Sequence, residues 1–324
     1  MCIRDRTTTA SFSVDFAVGS LDGKGISTGV TDGDEDLQAT YGFQIDLNTS
    51  FTGEDSLDIS IDAGNGPTSS GSSTSPLAEF DLIGGSDALT VDGVSYTFPL
   101  GGLTAIVGDN TDGSALFTTA CAYGGPSNTL DDCGNVNAGI TNGGAMAGAA
   151  YDFGNGLTAA VGYAGQEGDV ANEEGIDAYG INFAYTADSY GVSLTYGVTE
   201  DGAPVNDNME VDSFVALNAY YTPDSEGLPS ISVGYEVGED GSVVGNNDGL
   251  SNFFVGLTWP EVGPGEFGLA MGTRVNTVED TDAQYMYEAY YSYPINDGMT
   301  ITPLIFAQDV SCLLYTSPSP RDRG

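Results

Sequence analysis

Histidine is absent from the 324 residues, and lysine and arginine together number six against 47 aspartates and glutamates, a formal net charge of −41. Four of those six cations (Arg4, Arg6, Arg321 and Arg323) sit in two short ends, which leaves Lys24 and Arg274 for everything between. So few cations exclude nucleic acid as a partner, because phosphate binding needs Lys and Arg to displace counterions. They also exclude electrostatic adhesion to anionic lipid surfaces. No apolar run reaches the ~18 residues of a membrane-spanning helix. Without histidine, and with no Ser or Cys beside a credible base, hydrolytic chemistry has no starting point; the chain reads as a non-enzyme with no catalytic residues. Strong acidity signals disorder only where aromatics are few. Here 18 Tyr and 14 Phe are spread along the chain, which is therefore expected to be ordered.

The two ends differ in character from the rest. Back-translation of Met1–Asp5 as ATG TGT ATA AGA GAC, with AG opening the codon of Arg6, gives a strand whose reverse complement, read one base in, encodes Cys312–Thr316 and opens the codon of Ser317. No folding constraint makes one end of a protein the antisense of the other. Residues 1–6 and 311–324 are therefore read as adapter-derived artefacts of library preparation and set aside from fold reasoning. Residues 7–310 form one incomplete unit under this reading. Of four cysteines this leaves Cys121 and Cys133, twelve residues apart in "ACAYGGPSNTLDDCGN". The pair has no partners for a zinc site. A disulfide in an oxidising compartment fits, with two free thiols as the alternative.

The positive signal has period two. "SFSVDFAVG" sets Phe12, Val14, Phe16 and Val18 against Ser13, Asp15 and Ala17. "YGFQIDLN" sets Tyr41, Phe43, Ile45 and Leu47 against Gln44 and Asp46, and "LDISIDA" sets Leu57, Ile59 and Ile61 against Asp58, Ser60 and Asp62. Strict alternation means strands with one apolar and one polar face. In the second half five stretches share one grammar of aromatic-rich strand, short turn and second strand, from "GAAYDFGNGLTAAVGY" to "EAYYSYPINDGMTITPLI". Tyr151, Phe153, Tyr185, Tyr221, Trp259 and Tyr293 stand where a strand enters its turn. Between these hairpins lie longer polar loops such as "TEDGAPVNDNMEVD".

Short turns at one end, long loops at the other and aromatics at strand ends are the wiring of an outer-membrane barrel. A soluble sandwich would not alternate loop lengths in this way, and the nine-residue repeat of a calcium-loaded β-solenoid is absent. The fold class expected is all-β: a transmembrane antiparallel up-and-down β-barrel. Strands are expected near 11–18, 38–47, 56–63, 89–98, 103–108, 144–153 and 157–164, then in further pairs to 284–293 and 299–307. "LAEFDLI" is left inside an external loop. About 15 strands result, and since single-chain bacterial barrels close with even numbers, a 16-stranded type with its closing strand missing is expected.

"ATYGFQIDLNTSFTGEDSLDISIDAGNG", "LTVDGVSYTFPLGG", the stretch around the two cysteines and "EAYYSYPINDGMTITPLI" resemble cyanobacterial outer-membrane porins. These are grouped with the carbohydrate-selective porin family and are also labelled iron-uptake porins. The resemblance covers nearly all of residues 7–310. It implies a water-filled channel in the cell outer membrane for passive diffusion of inorganic ions, iron among them, and of small polar solutes including carbohydrates. It further implies outer-membrane lipid as surroundings and a peptidoglycan-gripping N-terminal module absent here. Barrels of this size commonly form homotrimers, and that is the oligomer expected. The alternative is a secreted acidic calcium-dependent adhesin or S-layer-like binding protein.

A pore works by lumen geometry and charge. The first site expected is the long loop after residue 108, whose length exceeds ordinary loops. Folded inward as a constriction and stiffened by Cys121–Cys133, it would present Asp109, Asp112, Asp131 and Asp132. The second is the lumen face: Asp15, Gln44, Asp46, Asp58, Asp62, Asn182, Asn218 and Glu288. With no basic cluster to oppose these acids, a cation preference follows. Tyr220 and Tyr290 are candidate lumen-face aromatics for a sugar-specific pore, with girdle positions at the strand ends the favoured assignment. Asp32, Asp34 and Asp36 alternate in "TDGDEDLQ" but lack the glycine and downstream ligand of a calcium loop, so they are a weak metal candidate. No cofactor is expected beyond divalent cations loosely held by the acidic loops.

Overall fold

Alternating residues form antiparallel strands along the whole chain. The computed structural model describes residues 8–20, 37–66, 76–80, 87–140, 144–166, 175–205, 208–225, 227–240 and 248–309, with Leu82, Gly168 and Val170. Lys24, the alternating acids Asp32, Asp34 and Asp36, and residues 1–7 and 310–324 lie outside the described residues.

The first seven strands are β1 (Thr9–Gly19), β2 (Gln38–Thr49), β3 (Ser56–Gly64), β4 (Thr90–Leu100), β5 (Leu103–Asp109), β6 (Ala145–Gly154) and β7 (Leu157–Gly165). Then come β8 (Asp177–Thr186), β9 (Tyr190–Val205), β10 (Asn208–Tyr221), β11 (Ser230–Asp240), β12 (Asp248–Val262) and β13 (Gly265–Thr273). A two-residue β14 (Thr277–Val278) precedes β15 (Tyr285–Asn296), and β16 (Met299–Ile301) and β17 (Leu304–Gln308) are two parts of one strand interrupted before Pro303. All belong to a single sheet of 17 elements in which sequence neighbours pair antiparallel. Counting β16 with β17 and leaving β14 aside, fifteen strands cross, as the alternation predicts. Among the described residues no pairing joins β1 to β17.

Two local differences from the sequence reading have physical causes. "TEDGAPVNDNMEVD", expected as a loop, continues the ladder, with Glu210 opposite Asp201 and Asn208 opposite Val205. Polar residues on both faces hide a strand from periodicity once it leaves the bilayer. Within "PLAEFDLI", Pro76–Phe80 forms a 3-10 turn whose Leu77, Ala78 and Glu79 are buried, and which packs on β1 and β2.

Register fixes facing. Asp46 pairs with Ser60, Asn182 with Thr195 and Ala160, Asn218 with Ser193 and Gly234, and Glu288 with Ala270 and Phe306. Followed strand to strand, these partners form one inner face. The other face is apolar and open. Leu217 is 52% exposed and Leu194 46%, whereas inward Ala216 and Thr195 are fully buried. Polar groups inside and apolar side chains outside are the arrangement that hydrocarbon selects. At the short-turn end the outward side chains are aromatic: Tyr96 stacks on Phe98, Tyr151 meets Phe153 edge-on, and Tyr185–Tyr190, Trp259–Phe267 and Tyr291–Tyr293 form similar pairs. These rings mark one membrane interface.

The short turns are built for their task. Gly154, Asn155 and Gly156 all have positive φ, which a tight hairpin of this twist requires. Between β2 and β3, Asp55 accepts from Ser50 Oγ at 2.6 Å, Thr52 Oγ1 and N at 2.7 Å, and Tyr96 Oη at 2.6 Å. Desolvation pushes its carboxyl up, but these four donors outweigh it and hold it well below the usual carboxylate range.

Two outcomes are expected. Leu217→Arg, on the lipid face near mid-strand, should cost about 2–4 kcal/mol of folding free energy in lipid vesicles, measured by urea titration, whereas Ser13→Arg on the inner face should cost far less. Because the folded carboxyl of Asp55 titrates below its unfolded value of about 3.9, its contribution to stability is full above that pH and fades as pH falls through the window beneath it. Asp55→Asn should remove this part of the acid sensitivity in the same titration.

Candidate pore constriction

The loop joining β5 to β6 does not leave the sheet; it folds onto the inner face. Its amides from alternate residues 118, 120 and 122 are taken by three successive wall acceptors. Thr118 N donates to Asn182 Oδ1 (2.9 Å), Ala120 N to Ser193 Oγ (2.9 Å) and Ala122 N to Ser232 Oγ (2.8 Å). The segment thus walks across β8, β9 and β11. A buried main chain must find a partner for each amide, and here the wall's side chains supply it. The returning limb is anchored by Glu236 of β11, 1% exposed, which accepts from Asn137 N (2.9 Å), Asn137 Nδ2 (2.6 Å), Ala138 N (2.8 Å) and Asn252 Nδ2 (3.1 Å). Four donors satisfy a carboxylate that would otherwise be costly to bury.

Close approach is possible because the wall is shaved beneath the loop. A Cβ on Gly162 would lie 1.9 Å from the carbonyl oxygen of Gly113, and one on Gly234 1.8 Å from that of Cys133. Asn218 Nδ2 donates to this Cys133 carbonyl at 2.8 Å. Cys121 and Cys133 are joined in a disulfide, their Cα atoms 6.4 Å apart, between the outgoing and returning limbs. The two limbs meet the wall at a cluster of Tyr123, Leu130, Cys133, Phe254, Ala270, Met286 and Tyr290. Burial, followed by hydrogen bonding to Glu288, pushes the Tyr123 phenol far above its ordinary range, so it stays a neutral donor.

The expected site residues divide into groups. All eight inner-face residues share one face, but they do different things. Asn182, Asn218 and Glu288, each at most 3% exposed, are covered by the loop and hold it. Asp15, Gln44, Asp46, Asp58 and Asp62 lie on β1–β3, beyond the covered arc. There Gln44 Nε2 and Ser60 Oγ donate to Asp46 Oδ1 (2.7 and 2.6 Å), Ser56 Oγ to Asp58 Oδ2 (2.7 Å) and Thr90 Oγ1 to Asp62 Oδ1 (2.7 Å). Asp15 is exposed.

Among the loop acids, Asp112, Asp131 and Asp132 are exposed. Asp112 opens to solvent yet is crowded by protein, and desolvation with the neighbouring Asp92 carboxylate pushes its carboxyl up. Asp109 stands apart. It ends β5 opposite outward-facing Val94, and its Oδ1 accepts from Asn110 N at 3.0 Å, so it caps the strand rather than facing inward. Tyr220 and Tyr290, assigned to the girdles, face inward instead. Tyr290 is 3% exposed, lies edge-on to Tyr123 and donates to Glu266 Oε1 at 2.8 Å. Tyr220 pairs with inward Ser232. Arg274, the sole Lys or Arg among the described residues, donates to Gln308 Oε1 and Gln284 Oε1, each at 3.2 Å.

No family model matches the chain, and no curated protein matches it in sequence. Solved structures do match in fold. The anion-selective porin from Comamonas acidovorans superposes with a TM-score of 0.63 at 13% identity, over 94% of this chain and 90% of that one. A mutant of Rh. blastica porin gives 0.57 at 14% identity, over 93% and 94%. A loop L8 deletion mutant of OmpT, an outer membrane protein of Vibrio cholerae, gives 0.58 at 11%, over 93% and 94%. What these chains share with this one is the fold: an up-and-down sheet of the outer-membrane porin type.

Gly234→Val should force the Cys133 carbonyl off the wall. The expected outcome is a single-channel conductance changed at least twofold, with the barrel still shifting mobility on heating in denaturing gels. An unchanged conductance would show that the loop does not set the bore.

Proposed function

We propose that the chain is an outer-membrane porin whose lumen passes inorganic ions and small polar solutes by passive diffusion, with a preference for cations. One observation carries this reading. The constriction loop lies along one arc of the inner wall, and the surfaces left open on both sides of the passage carry acids: Asp112, Asp131 and Asp132 on the loop, Asp15, Asp46 and Asp58 on the wall. No described lysine or arginine opposes them except Arg274, which is engaged by two glutamines. A passage of one sign concentrates counterions and repels co-ions, over the several ångströms that salt leaves unscreened. The neighbour from Comamonas acidovorans is called anion-selective; the charge here argues for the opposite sign on the same architecture.

The outward apolar band supports residence in the outer membrane and weighs against a secreted adhesin, since a soluble protein does not expose such a band. Carriage of iron belongs to this reading as one inorganic cation among several. Carbohydrate specificity has less support, because the inward Tyr290 is covered by Tyr123 and offers no open ring face to a sugar. Homotrimeric association and attachment to peptidoglycan through a further N-terminal module complete the proposal.

In planar bilayers with a potassium chloride gradient, the reversal potential should report cation preference; an anion-favouring sign would sink the proposal. Replacing Asp131 and Asp132 by asparagine should reduce the preference without closing the channel. Asp112, whose carboxyl is pushed up, should lose its charge before the other loop acids as pH falls. The preference should therefore begin to decline above the usual aspartate value of about 3.9, and Asp112→Asn should remove that early part of the decline.

A further inference from the structure

At the long-loop end of β13 the ladder on β12 breaks and resumes in a new register. Gly272 pairs with Phe254, whereas Thr277 of β14 pairs with Ser251. Residues 273–276 therefore stand opposite Asn252 and Phe253 alone, with two residues to spare. An even shift leaves the same side chains facing inward, because side chains alternate with period two. What changes is which inward residue meets Asn252. Continued unbroken, the β13 register would set Arg274 there; the β14 register, extended back by one residue, sets Asn276 there.

The break is held by its own side chains. Phe253 N donates to Thr273 Oγ1 at 3.2 Å, and Thr273 Oγ1 donates to Asn252 Oδ1 at 3.0 Å. Arg274 is drawn aside to Gln284 Oε1 and Gln308 Oε1. Asn276 turns its amide onto the constriction loop. Its Oδ1 accepts from Asn252 Nδ2 at 2.6 Å and from Asn137 Nδ2 at 2.9 Å, and its Nδ2 donates to Asn137 Oδ1 at 3.4 Å. Asn252 in turn stands opposite Glu236. Glu236, Asn252 and Asn276 thus form a row, and Asn137 of the returning limb is bonded to both of its ends. Beside it, Val278 packs against the cluster of Ala138, Phe214, Ala216 and Leu250.

We propose that this break is a clasp: it puts Asn276 where Arg274 would fall, and so makes Asn276 a positioning residue for the pore constriction. Irregularities of this kind re-aim a side chain beside a functional site. The residue type matters. An amide oxygen accepts two bonds while its nitrogen donates, whereas arginine has donors only and could accept from neither Asn137 nor Asn252. The effect on the bore rests on the porin reading; the effect on the loop rests on the contacts alone. Residues 274–284 and the returning limb are fastened at one point, so displacing that outer segment displaces the constriction.

Hydrogen exchange read by mass spectrometry, on the full chain folded in detergent, follows the loop directly, because Asn137 N and Ala138 N are both held by Glu236. Asn276→Ala should speed exchange of these two amides at least tenfold. The amides of residues 118, 120 and 122, held elsewhere on the wall, should keep the parental rate. In planar bilayers the same variant should change single-channel conductance by at least half. Asn137→Ala, which cuts the contact from the loop side, should change it as far, and the double variant no further. Asp55→Asn, which weakens the distant turn end, should leave conductance at the parental value, separating positioning from lost stability. Heat-modifiable mobility checks that each variant is folded. Folded Asn276→Ala with parental exchange, or with parental conductance where the parent conducts, would overturn the clasp. A parent that carries no current would overturn the porin reading instead, and exchange alone would then decide whether Asn276 positions the loop.

Discussion

Main-chain hydrogen bonding between sequence neighbours governs everything else in this chain. A strand in hydrocarbon has no water to satisfy a bare amide or carbonyl, so each must pair along its length. Pairing in turn fixes register, and a slip of one residue would carry a whole row of side chains to the other face. Asp46 opposite Ser60 and Leu217 opposite Leu194 are consequences of the same ladder. One row is committed to polar company, the other to lipid. The aromatic pairs at the turn end, the open apolar band and the polar interior all follow from that commitment.

The inner face then becomes a substrate for a second layer. A loop buried against a sheet is ordinarily unfavourable, because its amides lose water without gaining ladder partners. This wall answers the demand with side chains. Asn182, Ser193 and Ser232 take the amides of the outgoing limb, and Glu236 takes two from the returning limb. Glycines remove the bulk that would hold the layers apart. Charge is thereby sorted by location. Glu236, Glu288 and Glu79 are buried and bonded as fasteners, while Asp15, Asp112, Asp131 and Asp132 remain exposed.

Strands and hairpins were legible because period two is a rigid geometric fact and turn residues announce themselves. The fifteen crossings and the aromatic strand ends leave marks within a dozen residues of sequence, whereas the inward packing of residues near 77, assigned to an external loop, does not. The fasteners left none. Ser193 meets Ala120 across 73 positions and Glu236 meets Asn137 across 99; nothing local distinguishes them from other polar residues on an inner face. Tyr220 and Tyr290 misled because they neighbour outward aromatics at Tyr221 and Tyr291, and composition alone cannot say which of two adjacent tyrosines faces lipid. Asp109 was grouped with the loop acids by proximity in sequence, yet strand parity turns it outward. The extension of β9 and β10 past the bilayer was hidden because a wet strand needs no alternation.

The loop's place inside the wall has a consequence for how the molecule is assembled. Its contacts span β7 to β15, so the surface it rests on does not exist until most of the chain has been threaded into the sheet. Contacts this distant in sequence form late. The disulfide between Cys121 and Cys133, by contrast, closes a short local ring that needs no wall at all. The two kinds of contact thus differ in what they require: the ring can close on local chain alone, whereas the tongue can lie flat only against a wall that is already built.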